Sequence, residues 1–522
     1  MIQLVRNNGA LWYQNESVWV KGYCFDEQNN FLEKEKLLDF FAGILTEHDL
    51  EKKLKQINGI FSVIIKRDNK TMLASDKTRV YPLFYSVAQN ELYISDDPSL
   101  ILPPNPEIDK DAEVDFLFSS VVLDRKTLIK HVYQVNPSSF VVFQEGCVTQ
   151  KTYYSYGVTE KEIKAYNHPQ EVFSNTLRSC CNRLIESTRG RQLVIPLSGG
   201  YDSRLIVAML KKLHCNNVIC YTVGRPDNPE YNIAKKVAET LDYPYYFIDN
   251  SSPEIIGEYF DDECFKKYYA FSGAFSNLFW MYEYFGVKEL VEKNIIQKDA
   301  VFIPGHSGDF LAGSQLSKAN ISKQTSYSHI TSLILSEKFA FRNALKNNYL
   351  REKVHDFVIS RENYLSYSIF DDFDVQIKLP KNINNSVRVY EFFGHEVRLP
   401  FWDNELMEFF RTLPVEMKYK QHFYNDYLKE HLFAEFNLNF SEELGLSNFE
   451  LNIQLMKNKI KKLLPDSVVA SLSHEVDYTC MKEISLPLKN ELPQLPNKVK
   501  GGYNRYFLEW YLFRVKKEYK LL

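Results

Sequence analysis

The sequence predicts an α/β protein in two parts: a β-rich sandwich over residues 1–155, and a doubly wound parallel sheet with added helices over residues 171–522. Three observations carry this. Short apolar or alternating runs, punctuated by Gly, Asn and Asp clusters, fill the first part as strands and hairpins require. Strand and helix patterns alternate from residue 171 onward, the rhythm of parallel βαβ units. A length of 522 residues exceeds what one ordinary core organises, so two or three domains are expected.

In the first part the strand candidates are 11–25, 59–68, 71–76, 81–87, 91–95 and 139–144. One helix is expected over 33–45, where Leu37, Leu38, Phe41 and Leu45 share a face. Residues 155–170 are polar, contain His168-Pro169 and read as a linker. The second part opens with a helix over 171–188 and a short apolar strand over 193–197. A Gly-rich turn, a helix (204–214), a strand (218–223), a helix (231–243) and a strand (245–249) follow. Beyond about residue 320 the pattern is mostly helical, without repeats or low-complexity segments.

Composition excludes several function classes. Lys+Arg 63 against Asp+Glu 67 gives a net charge of −4, which lacks the basic stripe of a nucleic-acid binder working by counterion release. With 45% hydrophobic and 25% charged residues the chain is globular rather than disordered. The 15% aromatic content reads as a low-GC codon bias favouring Phe and Tyr. No apolar run reaches the length of a membrane span, so no membrane partner is expected. The first residues lack the pattern of a signal peptide. The 8 cysteines form no CxxC and no zinc spacing, so a cytoplasmic location with reduced thiols is expected.

The sharpest motif is Pro196-Leu197-Ser198-Gly199-Gly200-Tyr201-Asp202-Ser203-Arg204, which follows a buried strand and opens a helix. Two glycines allow close backbone approach, and successive N–H groups at a helix N-terminus suit phosphate. Ser198 and Ser203 add hydroxyl donors. An Asp among phosphates makes electrostatic sense when it holds magnesium. The same residues also fit a plain Gly-rich turn capped by Ser or Asp. The loop is neither a Walker loop nor a dinucleotide fingerprint.

SGGYDS resembles the SGGxDS loop of pyrophosphatase-type ATP enzymes, and the surrounding sequence resembles the asparagine synthetase superfamily. Three further segments carry that resemblance. The stretch starting at Thr222 is similar to the second strand and its helix, which implies that backbone near Val223 and Gly224 faces adenine. Residues 304–313 (PGHSGDFLAG) are similar to the SGEGxDExxGG turn, which implies Gly305 at the nucleotide and Asp309 beside Asp202 on Mg2+. Residues 388–403 match a third stretch at Arg388, Gly394, Glu396, Arg398, Pro400, Phe401 and Asp403. The resemblance implies an ATP-pyrophosphatase rear domain behind an Ntn-hydrolase-like α/β sandwich. It also implies ATP and Mg2+ as cofactors, adenylation of a carboxylate with release of pyrophosphate, and displacement of AMP by an amine.

Residues 57–102 resemble the glutaminase domain of that family, which uses an N-terminal Cys with its own α-amino group as base. Residue 2 here is Ile2, a hydrocarbon that cannot be a nucleophile, and Cys24 sits inside a strand-like run. The front domain is therefore expected to keep the fold without the chemistry, as in β-lactam synthetases, carbapenam synthetases and lasso-peptide cyclases. The expected partners are a small-molecule, peptide or sugar carboxylate and an amine, with a homodimer as the candidate assembly.

Amine attack requires a base. His306 stands where asparagine synthetases carry a Glu, and an ordinary imidazole accepts a proton near neutral pH. Glu396 or Glu391 is the expected partner that orients it. Arg204 is read either as a phosphate or substrate contact or as a helix-surface residue. Two departures stand out: Phe310 replaces the acid after Asp309, and the segment 431–445 lacks the usual lysine, for which Lys418, Lys420 and Lys429 are candidate substitutes. The expected activity is an AMP-forming amide ligase without its own glutamine hydrolysis. The alternatives are an asparagine synthetase working on aspartate and free ammonia, and an inactive scaffold of the same fold.

Overall fold

In a computed structural model of the protein, residues 1–252, 255–257, 259–318, 321, 325–440, 477–495 and 502–521 are described. The front part stacks two sheets. One orders its strands as Ile2–Gln3, Glu91–Ser95, Phe84–Ala88 and Val132–Gln134. The other runs Cys147–Thr152, Ser139–Gln144, Lys70–Ser75, Asn58–Arg67, Val18–Phe25 and Trp12–Gln14, with Phe31–Glu33 also paired to Val18–Phe25. Alternation along Asn58–Arg67 splits the packing. Ile64 joins Leu73, Tyr85, Ile94 and Val141 between the sheets, while Val63 and Ile65 face the helices Lys34–Ala42 and Glu47–Gln56.

The first of these helices ends at Ala42, before Gly43, so Leu45 lies outside it and is exposed. The second was not anticipated from its sparse apolar pattern. Thr46 and Asp49 start it with a reciprocal capping box.

The rear sheet has five parallel strands in the order Tyr245–Asp249, Val218–Gly224, Leu193–Pro196, Val301–Phe302 and Glu396–Val397. All three strands expected from sequence in this part are present. The order reverses between Leu193–Pro196 and Val301–Phe302, which opens a crevice at the carboxyl ends of these strands.

The segment expected to be a linker is anchored. Tyr156 and Val158 are buried, the Tyr156 N–H donates to Asp372 Oδ1 at 2.7 Å, and the Val158 N–H donates to Ser368 Oγ at 3.0 Å.

The two parts are clasped by charge. Arg183 forks onto Asp403 with two bonds of 2.8 Å, and the front-part Asn58 donates to Asp403 Oδ2 at 2.8 Å. Lys21 Nζ meets Glu391 Oε1 at 2.7 Å in the same buried seam, and the Arg398 guanidinium lies 4.1 Å from the Tyr23 ring centre. Among the described residues, no helix is long and apolar enough to cross a membrane.

Candidate active site

Two loops meet at the strand-order crevice. The first leaves the strand Leu193–Pro196 and enters the helix Tyr201–Lys212, whose first residues point at the cavity. The second leaves the strand Val301–Phe302 and turns through residues 304–308 into the short helix Gly308–Ala312. Glycines allow them to touch. A Cβ on Gly305 would lie 2.8 Å from Ser203 N, and one on Gly308 would lie 2.6 Å from Asp202 Cγ. Ser307 adopts a left-handed φ of 76°, and its hydroxyl accepts from the Trp402 indole at 3.2 Å.

The loops enclose a cavity of about 500 Å3, within the usual range for a small-molecule site. Of the residues singled out in the sequence, Leu197, Ser198, Gly200, Asp202, Ser203, Val223, Gly305, His306 and Asp309 line it. Ser203 Oγ accepts from the Ser198 N–H at 3.1 Å, and Ser198 Oγ accepts from the Gly200 N–H at 3.2 Å. The loop's own hydroxyls thus hold amides that would otherwise point at an anion.

Asp202 and Asp309 are brought together. Asp202 Oδ2 accepts from the Asp309 N–H at 2.6 Å, and Asp202 Oδ1 accepts from the Tyr424 hydroxyl at 2.8 Å. Burial and the neighbouring Asp309 charge raise the Asp202 carboxyl to about 7. Two neighbouring acids with no basic side chain paired to them among the described residues suit Mg2+, which takes one or two carboxylates and completes its shell with water and phosphate.

Four expected members, Glu396, Glu391, Gly224 and Gly199, lie elsewhere. Glu396 is on the outer strand of the sheet, in register with Val301 and hence before the turn that carries His306. It bonds Arg191 and pairs with Arg398 Nη2 at 2.9 Å. Burial alone would raise its carboxyl, but the two arginines outweigh burial and hold it at about 2. It is a structural ion pair and does not orient His306. Glu391 is likewise engaged, by Lys21 and Arg388. Gly224 is absent from the cavity wall: its φ is +145° and a Cβ there would meet Tyr478 O at 2.9 Å. The Val223 carbonyl is already bonded by the Tyr282 hydroxyl at 2.7 Å. Gly199 backs the loop, its carbonyl held by Arg204 Nη2 at 2.7 Å. Arg204 is fully buried and also bonds Leu438 O at 3.0 Å, so it braces the loop and is neither a surface residue nor a phosphate contact.

His306 lines the cavity, with Nδ1 closed off from solvent and without a hydrogen-bond partner. Burial lowers its pKa to about 4, so the ring is neutral at pH 7 and a weaker base than the sequence suggested. A different acid occupies the cavity wall. Glu283, which the sequence reading did not single out, is buried and bonds the Tyr390 hydroxyl through Oε2. Burial raises its carboxyl to about 7. Tyr221, on the adjacent wall, has its buried hydroxyl beside that of Tyr390.

The asparagine synthase family model matches residues 188–433, and the glutamine amidotransferase domain model matches residues 44–154. The chain belongs to the asparagine synthetase superfamily. A relative from Methanocaldococcus jannaschii, named as a glutamine-hydrolyzing asparagine synthetase, is 23% identical over 484 residues, 89% of this chain and 76% of that protein. Glutamine-hydrolyzing asparagine synthetase 1 of Bacillus subtilis is 26% identical over 337 residues, 59% of this chain and 50% of that protein. The microcin J25-processing protein McjC of Escherichia coli is 21% identical over 175 residues, 33% of this chain and 32% of that protein.

The superfamily's acid after Asp309 is replaced by Phe310, which is buried with its ring centre 5.9 Å from that of Tyr156. Of the candidate lysines, Lys418 is buried 3.6 Å from Asp371, Lys420 is exposed, and Lys429 Nζ is 5.8 Å from the ring centre of the cavity residue Tyr201. Residues 441–445 of the lysine-poor segment, and the basic run 457–465 read from sequence as a solvated face, fall outside the described residues. In the amidotransferase-like part Cys24 is fully buried, and burial pushes its thiol pKa well up. Asp96 Oδ1 accepts from the Val5 N–H at 2.9 Å. Its Oδ2 accepts from the Arg6 N–H at 2.9 Å and the Trp12 indole at 2.7 Å.

Proposed function

We propose that the protein is an ATP-dependent carbon–nitrogen ligase that converts a carboxylate to an acyl-adenylate and passes the acyl group to an amine. The observation that carries this reading is the juxtaposition of Asp202 and Asp309 across two glycine-backed loops at the strand-order crevice. These two carboxylates would hold Mg2+, which supplies charge neutralisation for the phosphates of ATP. Ser198, Gly200 and Ser203 exchange their internal hydrogen bonds for phosphate oxygens.

A substrate carboxylate oxygen attacks the α-phosphorus of ATP, the α–β phosphoanhydride bond breaks, and pyrophosphate leaves. The amine nitrogen then attacks the acyl carbon, the acyl–oxygen bond breaks, and AMP leaves. The proton lost by the nitrogen goes to Glu283, whose raised pKa matches general-base work near neutral pH. Tyr390 fixes the Glu283 carboxylate through its hydroxyl. Neutral His306 orients the amine as a hydrogen-bond acceptor rather than taking its proton.

The front part covers this site without hydrolysing glutamine. A thiol buried in a strand cannot reach an amide, and an acidic side chain saturated by the chain's own N–H groups has nothing left for a ligand.

ATP–pyrophosphate exchange with Mg2+ and a panel of carboxylates tests the reading. Exchange that requires a carboxylate, and that disappears in Asp202→Asn and Asp309→Asn, supports it. Wild-type levels of exchange in both variants overturn it. Release of glutamate from glutamine by the wild-type chain overturns the assignment of the front part.

A further inference from the structure

A second cavity adjoins the first. It has a volume of about 260 Å3 and is walled chiefly by Phe279, Trp280, Met281, Met481 and Phe507. Tyr282 lines both cavities, and the next residue along the chain is Glu283. The segment 278–283 therefore runs from apolar wall to proposed base within a few residues. The Tyr282 hydroxyl is fixed on Val223 O at 2.7 Å, so its ring is a held wall common to both cavities rather than a loose side chain. The opposite wall is tied down as well: the Arg225 N–H bonds Tyr478 O at 2.9 Å, and Met481 is buried.

Its size and lining say what it would take. An apolar cavity of about 150 Å3 stays dry and binds benzene. This one is larger, and side chains leave it open even though Phe279, Met281 and Phe507 are otherwise core residues. Its polar side chains are Tyr282, Thr479, Tyr503 and Asn504, and the first two already spend their hydroxyls on Val223 O and Asp477. Aspartate, whose side chain is charged, gains nothing from such a wall.

We infer that the apolar cavity behind Tyr282 receives an aliphatic or aromatic side chain of the carboxylate substrate, placing its acid end beside Glu283 and the Asp202–Asp309 pair. The inference rests on the ligase reading and names its substrate class. The acid is a monocarboxylate with an apolar arm of roughly a phenyl ring plus one or two methylenes, and aspartate is a poor substrate.

ATP–pyrophosphate exchange needs the acid but no amine, so it isolates this half of the reaction. The acids are aspartate, acetate, hexanoate and 3-phenylpropionate, assayed with wild type and with Thr479→Phe, which narrows the cavity. The expected result is a KM for hexanoate or 3-phenylpropionate at least about 10-fold below that for acetate or aspartate, the scale on which a methylene is discriminated in an apolar pocket. In Thr479→Phe that KM rises about 10-fold while the KM for ATP is unchanged. As a check independent of variant folding, 3-phenylpropionate shifts the tryptophan fluorescence of the wild-type protein through Trp280, and aspartate does not. Exchange driven best by aspartate overturns the inference and leaves the ligase reading standing. A Thr479→Phe effect on the KM for ATP instead of the acid assigns the cavity to the nucleotide base and also overturns it. Absence of both exchange and ATP binding overturns the ligase reading and this inference together.

Discussion

The front and rear parts each carry a carboxylate that accepts backbone N–H groups, and the chain treats them oppositely. Asp96 has both oxygens filled by backbone and indole N–H groups of residues 5–12. Asp202 also has two bonds, but one comes from the backbone of a second acid, Asp309, and among the described residues no basic side chain pairs with either. A carboxylate saturated by donors is structural; one forced against a like charge is raised and awaits a ligand. The difference separates a carboxylate that the chain has satisfied from one that it has left charged for something else.

Substitutions can break that contrast. The largest effect is expected in the rear pocket: Asp202→Asn or Asp309→Asn lowers carboxylate-dependent exchange by about 1,000-fold, the scale of a lost electrostatic centre. Asp96→Asn leaves exchange per folded molecule unchanged and lowers the thermal midpoint instead. Equal losses of activity in Asp96→Asn and Asp202→Asn would erase the distinction.

Next comes Glu283→Gln, expected to slow amide formation by about 100-fold or more while sparing exchange. In the wild type, amide formation falls as pH drops below about 7, because the proton acceptor becomes protonated. That limb is absent in the variant. The same group gives a stability signature. Its folded carboxyl is raised above the ordinary value, so its contribution is fully present below about pH 4.5 and is lost as pH rises through about 7. Thermal midpoints from pH 4.5 to 8 should therefore fall less steeply in Glu283→Gln.

The seam between the parts is tested by Arg183→Ala, which strands a buried Asp403 and is expected to cost about 3–5 kcal/mol in chemical denaturation. The smallest effect belongs to Cys24→Ala. It should alter stability by about 1 kcal/mol and leave ligase activity untouched, consistent with a thiol that only packs.

Periodicity and glycine punctuation made three of the five parallel strands and the loop 196–204 legible, because these follow from local backbone rules, whereas the two-residue strands Val301–Phe302 and Glu396–Val397 are too short to show a period. The pairing of Asp202 with Asp309 was legible through two motifs more than 100 residues apart. What remained hidden depends on tertiary proximity. Glu283 carries no motif, and its role emerges only where burial and Tyr390 meet it. Tyr424 reaches Asp202 from a distant helix. Glu396 looked catalytic because its neighbours match a family stretch, yet that stretch supplies ion pairs below the sheet, Arg398 on Tyr23 and Asp403 on Arg183. His306 looked basic because an unperturbed imidazole is, and burial reverses that.

The clasp at Asp403 has a mechanical consequence. Asn58 grips Asp403, its neighbour Trp402 holds the hydroxyl of left-handed Ser307, and the Phe401 ring presses toward Gly308. The sandwich thus reaches the acid-bearing turn through three consecutive residues, like a hand steadying a hinge. Excising residues 1–155 would remove none of the groups assigned to chemistry, yet the shortened protein would lose the tension that keeps Asp309 opposite Asp202.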